Sequence, residues 1–346
     1  MEILKKEGEK ILVIQTAFLG DAVLTLPMIR KLKELNCNAS IDVLCIPASK
    51  EIFQLSSCIN EIIVIDKRGK HKSFFSFIKF ARQIRAKGYD RIYSPHRSFR
   101  TSLLVLQSGV KETYGFSNSS LSHGYKYLTE YIPSHHEVQR NLDLIGYDYS
   151  EKGWRVLPEI RIPESADIAA KNFLKSNNIN SSFAAIAPGS IWNTKKYPLE
   201  YYEQVVQYLI AQGLKVIIIG GKEEAEIGIM LETKFHGKLI SSVGNLMITE
   251  SVALLKYSKI LISNDSAPTH LGVCADIPVL TLYCSTVPDF GFYPYNNKSR
   301  WLSYADLECK PCGIHGYYAC PLKHFQCGYK LEVELVISAI KEILND

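Results

Sequence analysis

No uninterrupted run of 18 apolar residues occurs in this 346-residue chain, so it contains no segment that reads as a membrane-crossing helix. Its first ten residues, Met1 to Lys10, lack an apolar core and already carry Glu2, Glu7 and Glu9, which argues against a secretory signal. A cytoplasmic protein is therefore expected. Short repeats and low-complexity tracts are absent. Neither half has Gly-x-Gly-x-x-Gly after a strand or a P-loop lysine motif, so nicotinamide-dependent and kinase readings lose their best support. Charge is nearly balanced: a net +5 and a pI of about 8.6 are too weak to argue for nucleic acid, yet suit an anionic substrate or membrane surface.

What is present is material for two cores, with 47% hydrophobic and 22% charged residues in a length typical of two domains. Strand and helix patterns alternate along both halves, predicting parallel sheets and an α/β class. In the first half, strands are read at 11–15, 40–46, 62–65 and 90–94, and helices at 21–35 (kinked by Pro27), 49–55, 73–87 and 101–107. A stretch with Gly153, Pro158 and Pro163, from Gly146 to Glu164, reads as the interdomain linker. In the second half, strands follow at 183–187, 215–219, 239–241, 259–262 and 279–283, with helices at 198–212, 223–235, 249–257, 267–275 and 332–344. The expected domains are 1–160 and 161–330, with a terminal helix at 331–346. Two doubly wound domains would carry their ligands at the strand C-termini, facing a central cleft.

Several loops at those termini hold candidate chemistry. Ser263-Asn264-Asp265-Ser266-Ala267-Pro268-Thr269-His270 leaves a strand and opens a helix with Pro268 in its first turn. Its unpaired N–H groups and partial positive charge suit a phosphate, and Asp265 or Ser266 can cap it. His270, one turn in, either reaches a phosphate or sugar or serves packing alone. Phe18-Leu19-Gly20-Asp21 follows the first strand, and Asp21 is a candidate general base or simply a helix cap. Pro188-Gly189-Ser190 leads through a small polar loop to Lys195-Lys196-Tyr197-Pro198, where Lys195 can clamp a phosphate or be an ordinary surface lysine. Gly220-Gly221-Lys222-Glu223 offers close backbone approach and a carboxylate for ribose or sugar hydroxyls. Arg97 and Arg100, beyond the 90–94 strand, suit an anionic acceptor or lie as helix-surface charge.

The run Lys67, Arg68, Lys70, His71 and Lys72 precedes a helix bearing Lys79, Arg82 and Arg85 beside Phe74, Phe75 and Phe77. It reads as a solvated basic face or as a surface for an anionic membrane. Cys309-x2-Cys312-x7-Cys320-x6-Cys327 has structural-zinc character only in its first pair, with reduced thiols or a labile disulfide as the alternatives. No acidic cluster accompanies it for a catalytic metal.

Taken together, Leu19-Gly20-Asp21-Ala22 running to Pro27, Ser98-Phe99-Arg100, the loop from Pro188 to Pro198, and Asn264 to Leu271 resemble glycosyltransferase family 9. These are the heptosyltransferases of lipopolysaccharide core assembly, and the cysteine-rich tail is similar to that of heptosyltransferase II-type members. The resemblance implies a GT-B fold with the acceptor on the first domain, the nucleotide-sugar on the second, and the terminal helix packed back on the first. It also implies inverting, metal-independent transfer of heptose from ADP-heptose to a lipid A–core acceptor at the inner face of the inner membrane, with no required cofactor. Under it Asp21 is the general base; Lys195, Glu223, Asp265, Ser266, Ala267, His270 and Ser190 bind the donor; and Gly20, Arg97 and Arg100 meet the acceptor. The family often has Thr or Ser with Gly where this chain has Ser266-Ala267, a change that leaves backbone donation intact. Transfer of another sugar, sugar-nucleotide epimerisation and a non-catalytic sugar-nucleotide or lipid-binding module are the competing readings.

Overall fold

A computed structural model describes residues 8–345; Met1–Glu7, which carry most of the N-terminal reading, lie outside them. The chain divides into two units, Met1–Arg161 and Ile162–Asp346.

The first unit contains β1 (Lys10–Ile14), α1 (Leu19–Leu35), β2 (Ser40–Cys45), α2 (Lys50–Phe53), β3 (Glu61–Val64), α3 (Phe74–Ala86), β4 (Arg91–Ser94), α4 (Phe99–Ser108), β5 (Glu112–Phe116), β6 (Tyr127–Thr129) and α5 (Glu137–Leu144). Its six strands are parallel, in the order β3-β2-β1-β4-β5-β6. Residues 11–14 of β1 are fully buried, as a central strand covered on both faces requires. Helix α1 runs unbroken through Pro27, and the missing N–H at that position falls inside it. Helices α3 and α4 begin on side-chain caps: Ser73 accepts from the Ser76 N–H and Ser98 from the Thr101 N–H.

The second unit contains α6 (Glu164–Ser176), β7 (Phe183–Ala187), α7 (Leu199–Ala211), β8 (Lys215–Ile218), α8 (Ala225–Phe235), β9 (Leu239–Ser241), α9 (Ile248–Leu255), β10 (Ser258–Asn264), α10 (Ala267–Cys274), β11 (Val279–Tyr283), β12 (Arg300–Ser303), α11 (Gln326–Tyr329) and α12 (Val333–Asn345). Its parallel sheet has the order β12-β11-β10-β7-β8-β9. Read from the other edge, this is the same winding as in the first unit. Each sheet therefore reverses direction once, between β1 and β4 and between β7 and β10, and the loops leaving those strands share one edge.

Six elements escape the periodicity reading: β5, β6, α5, α6, β12 and α11. Strand β5 contains Gly115, where a Cβ would run into the ring of Tyr125, and it is held by a stack of Tyr93, Tyr114 and Tyr127 with centroids 4.5 and 4.7 Å apart. Helix α5 buries Glu137, Arg140 and Asn141, so its inward face does not look apolar. The last helix, α12, belongs to the second unit. Its apolar stripe, Val336, Ile340 and Ile343, enters the core of the second unit with Val205, Val206 and Leu209 of α7. That inward face packs on α7, 3.6-residue periodicity on both helices supplying matched stripes. Ile340 is fully buried there, so Ile340→Ala should lower the unfolding free energy by about 3 kcal/mol, measured by denaturant titration.

Candidate active site

Both sheets end in loops that carry charge, and the two loops after the first strands carry opposite signs. After β1, Phe18 is the residue before α1, and Asp21 in the first turn accepts its backbone N–H at 3.2 Å. The Asp21 carboxyl thus closes the helix start as a cap would. It is half-buried, and its pKa is pushed up from 3.8 to about 7. Desolvation is the main cause, the nearby Glu137 carboxylate adds to it, and the Phe18 N–H and Arg97 oppose it.

Around Asp21 stands a buried ionic cluster. Arg140, 2% exposed, donates to Glu137 at 2.9 Å and to the carbonyls of Ile132 and Pro133. The guanidinium groups of Arg140 and Arg97 both lie over the ring of Tyr131, at 4.5 and 3.8 Å from its centroid. Next to α5, the amide of Asn141 donates to the Leu24 carbonyl at 3.0 Å and ties that helix to α1. Arg100 is differently employed. Its guanidinium bonds the carbonyls of Lys67, His71 and Lys72, so it braces the loop leading into α3. Lys67, not singled out from sequence as a site residue, donates to the Thr16 hydroxyl at 2.7 Å and has no ion pair among the described residues. Burial, and then the charge of Arg100, press its pKa down to about 8. Gly20 lies within α1 directly before Asp21.

In the second unit the loop after β7 delivers Lys195, whose Nζ lies 2.6 Å from Asp265 Oδ2 beyond β10. Thr286 donates its hydroxyl to the same carboxylate oxygen at 2.7 Å. The loops are joined by Asn264. Its amide donates to the Pro188 carbonyl at 2.7 Å and the Gly189 carbonyl at 3.3 Å, and its oxygen accepts from Tyr197 N–H and Tyr202 hydroxyl. Ser266 precedes α10 in extended backbone and donates toward the Gly189 carbonyl at 3.5 Å; Ala267 is the first helical residue. His270 is buried, its Nδ1 has no partner, and desolvation presses its pKa down to about 4, so the ring is neutral at pH 7. Ser190 accepts the Trp192 N–H at 3.4 Å. Thr194, beside Lys195, exchanges hydrogen bonds with the backbone of Tyr317. At Gly316 φ is +78° and a Cβ would meet Ser285, Thr194 and Lys195, so only glycine fits against the lysine loop.

Glu223 stands exposed in the short turn before α8, while its neighbour Glu224 packs across Gly189 and Gly220 and has its pKa raised by burial. Asn264, Tyr202 and Thr286 were not assigned roles from sequence; a buried Asn closing a strand was the available signal for the first. All nine cysteines are free. Among the described residues no three His, Cys, Asp or Glu side chains gather as a metal ion would need. Cys309 Sγ contacts His324 Nε2 at 4.0 Å, and Cys312 Sγ lies 3.6 Å from the Cys309 carbonyl. Removing the junction should be costly: Asn264→Ala leaves several buried groups without partners and should lower stability by about 3 kcal/mol, read by denaturant titration.

These features place the chain among known proteins. The model of glycosyltransferase family 9 (heptosyltransferase) matches residues 77–317, more than half of the chain. Lipopolysaccharide heptosyltransferase 2 of Escherichia coli K12 is 23% identical over 311 residues, covering 84% of this chain and 87% of that one. Lipooligosaccharide heptosyltransferase 2 of Campylobacter jejuni is 24% identical over 342 residues, covering 96% and 99%. Among solved structures, a family 9 glycosyltransferase from Veillonella parvula superposes with a TM-score of 0.85 at 24% identity, covering 99% of each chain. The ADP-heptose lipopolysaccharide heptosyltransferase II of E. coli superposes with a TM-score of 0.77 at 21% identity, covering 97% of this chain and 98% of that one. The two Rossmann-like units are those of the GT-B fold, and the chain belongs to glycosyltransferase family 9, the heptosyltransferase family.

Proposed function

We propose that this protein transfers heptose from ADP-heptose to a hydroxyl of a lipid A–core acceptor, with inversion and without a metal ion. The observation that carries the reading is the position of the Asp21 carboxyl in the first turn of α1, after β1 where the strand order reverses; its pKa, pushed up to about 7 by burial, suits a general base at neutral pH. Its carboxylate takes the acceptor proton as the hydroxyl oxygen bonds to the anomeric carbon; the bond from that carbon to the diphosphate breaks, and ADP leaves with the electron pair. Arg97, over Tyr131 and close enough to stabilise the Asp21 carboxylate, is assigned to the acceptor side with Gly20. Arg100 is assigned there too, through the loop it braces.

The donor is assigned to the second unit. Lys195 is pre-positioned by Asp265 and can turn its remaining protons to a diphosphate as charge grows on the leaving group. The first-turn N–H groups of Ala267 and its neighbours, with Ser266 and Ser190, add neutral donors. His270 enters as an uncharged ring, able to donate one hydrogen bond and accept another. Glu223 is assigned to the nucleoside. This set of donors supplies the stabilisation that a divalent cation provides elsewhere. The similarity to heptosyltransferases from E. coli and C. jejuni supports ADP-heptose as the donor.

Incubation with ADP-heptose and a core-truncated lipid acceptor in excess chelator should raise the acceptor mass by one heptose. Asp21→Asn should cut turnover by about 10³-fold and leave donor affinity within about threefold, whereas Lys195→Ala should weaken donor binding. Full turnover by Asp21→Asn, or loss of activity on chelation, overturns the assignment; an isomerised sugar formed without acceptor would favour an epimerase.

The acidic limb of kcat/KM should fall near pH 7, and Glu137→Gln, by removing a neighbouring negative charge, should move it to lower pH. Stability should respond with a defined sign. The folded carboxyl keeps its proton up to about pH 7 and the unfolded one loses it near 3.8, so the wild type loses stability as pH rises between them. Asp21→Asn should therefore raise the melting temperature at pH 8 and leave it unchanged at pH 4.

A further inference from the structure

Helix α3 opens with an unusual pair: Phe74 is 65% and Phe75 85% exposed, their rings edge to face at 6.2 Å. The core of the first unit takes Phe77, Phe80, Ala81 and Ile84 from the same helix, so the pair is left outside the packed stripe. Phe75, Lys79 and Arg82 recur at helical spacing on the outward face, all exposed. From residue 67 to residue 89 the sequence holds eight Lys and Arg and no Asp or Glu, more positive charge than the net +5 of the whole chain. Lys70, Lys72, Lys79 and Arg82 have no ion pair among the described residues. Asp66, the carboxylate just before the run in sequence, accepts the backbone N–H groups of Arg68, Gly69 and Lys70, so it is engaged inside its own turn.

We propose that Phe74 and Phe75, with Lys70, Lys72, Lys79 and Arg82 around them, form the surface by which the first unit docks on an anionic lipid bilayer. Two adjacent aromatic side chains in water are unfavourable on a purely solvated face, whereas at a bilayer they enter the headgroup boundary while the cations meet lipid phosphates. The seat is rigid. Arg100 of α4 holds the carbonyls of His71 and Lys72 immediately before the pair, and Ser73 caps the helix. The position suits a lipid-borne substrate. Phe18 and Phe99, 50% and 56% exposed, start α1 and α4 on the same edge of the sheet, and Phe18 is bonded to the Asp21 carboxylate. The proposal deepens the acceptor half of the preceding reading, and it is testable without any acceptor.

Full-length protein should co-sediment with vesicles of phosphatidylcholine containing about a third phosphatidylglycerol and not with pure phosphatidylcholine, and added salt should weaken that binding. Phe74→Ser/Phe75→Ser and, separately, Lys70→Glu/Lys72→Glu/Lys79→Glu should each weaken vesicle affinity by about tenfold or more. Melting temperature and affinity for ADP should stay at wild-type values, because these side chains are exposed and belong to the first unit. Absence of binding to anionic vesicles, or binding that both variants retain, overturns the proposal. So does concentration-dependent self-association that Phe74→Ser/Phe75→Ser abolishes, since the face would then join two copies of this chain. A wild type that binds vesicles but fails to transfer heptose would count against the transferase reading alone.

Discussion

The amide of Asn264 sits at the end of β10 and distributes four hydrogen bonds among the loop after β7, the first residue of the 197–202 segment and the Tyr202 hydroxyl. In our reading, the lysine loop of the second unit is placed through it. The Pro188 and Gly189 carbonyls fix where the polar loop leaves the sheet, Tyr197 fixes where it returns, and Lys195 lies between those two points. The next residue, Asp265, then receives the lysine. A backbone alone could not do this, because parallel strands leave their end carbonyls without partners. A buried side chain with both donors and an acceptor supplies what the ladder lacks.

The first unit solves a different electrostatic problem. Its loop after β1 carries a carboxyl that the surroundings make reluctant to ionise, and the cations nearby are only partly committed to it. Arg140 is taken by Glu137 and two carbonyls, and Arg100 by three carbonyls. That leaves Arg97 to moderate Asp21 and keeps its proton affinity close to that of a neutral-pH base. Had Arg140 faced Asp21 directly, the carboxylate would be stabilised and chemically weak. After desolvation, the Asp21 proton affinity depends on how the neighbouring arginines are occupied.

The alternation of apolar strands with amphipathic helices made both sheets legible from sequence, and the loops after β1, β4, β7 and β10 could be located because strand and helix signals bracket them. Asp21, Lys195 and Asp265 were legible for the same reason. What escaped was determined by packing. Helix α5 hides behind buried Glu137, Arg140 and Asn141, which read as surface residues until the ion pair and the bond to Leu24 are seen. Strand β5 is stabilised by stacked tyrosines on neighbouring strands, a pattern with no local period. The proton affinity of Asp21 depends partly on Glu137, more than a hundred residues away in the chain, and sequence spacing carries no measure of desolvation. Arg100 read as an acceptor contact or helix-surface charge, and nothing local reveals that it bonds three converging carbonyls.

The two sheets share one winding, and each keeps its charged group on the loop after its first strand: a carboxyl in one half, an ammonium in the other. The loop after β1 is held through Thr16, bonded to Lys67 and His96, and the loop after β7 through Asn264. Under the proposed assignment, substitutions that reshape recognition of one reactant would leave the machinery for its counterpart in place. Such modularity would let a lineage exchange acceptors while keeping its donor, or the reverse, by drift confined to half a gene.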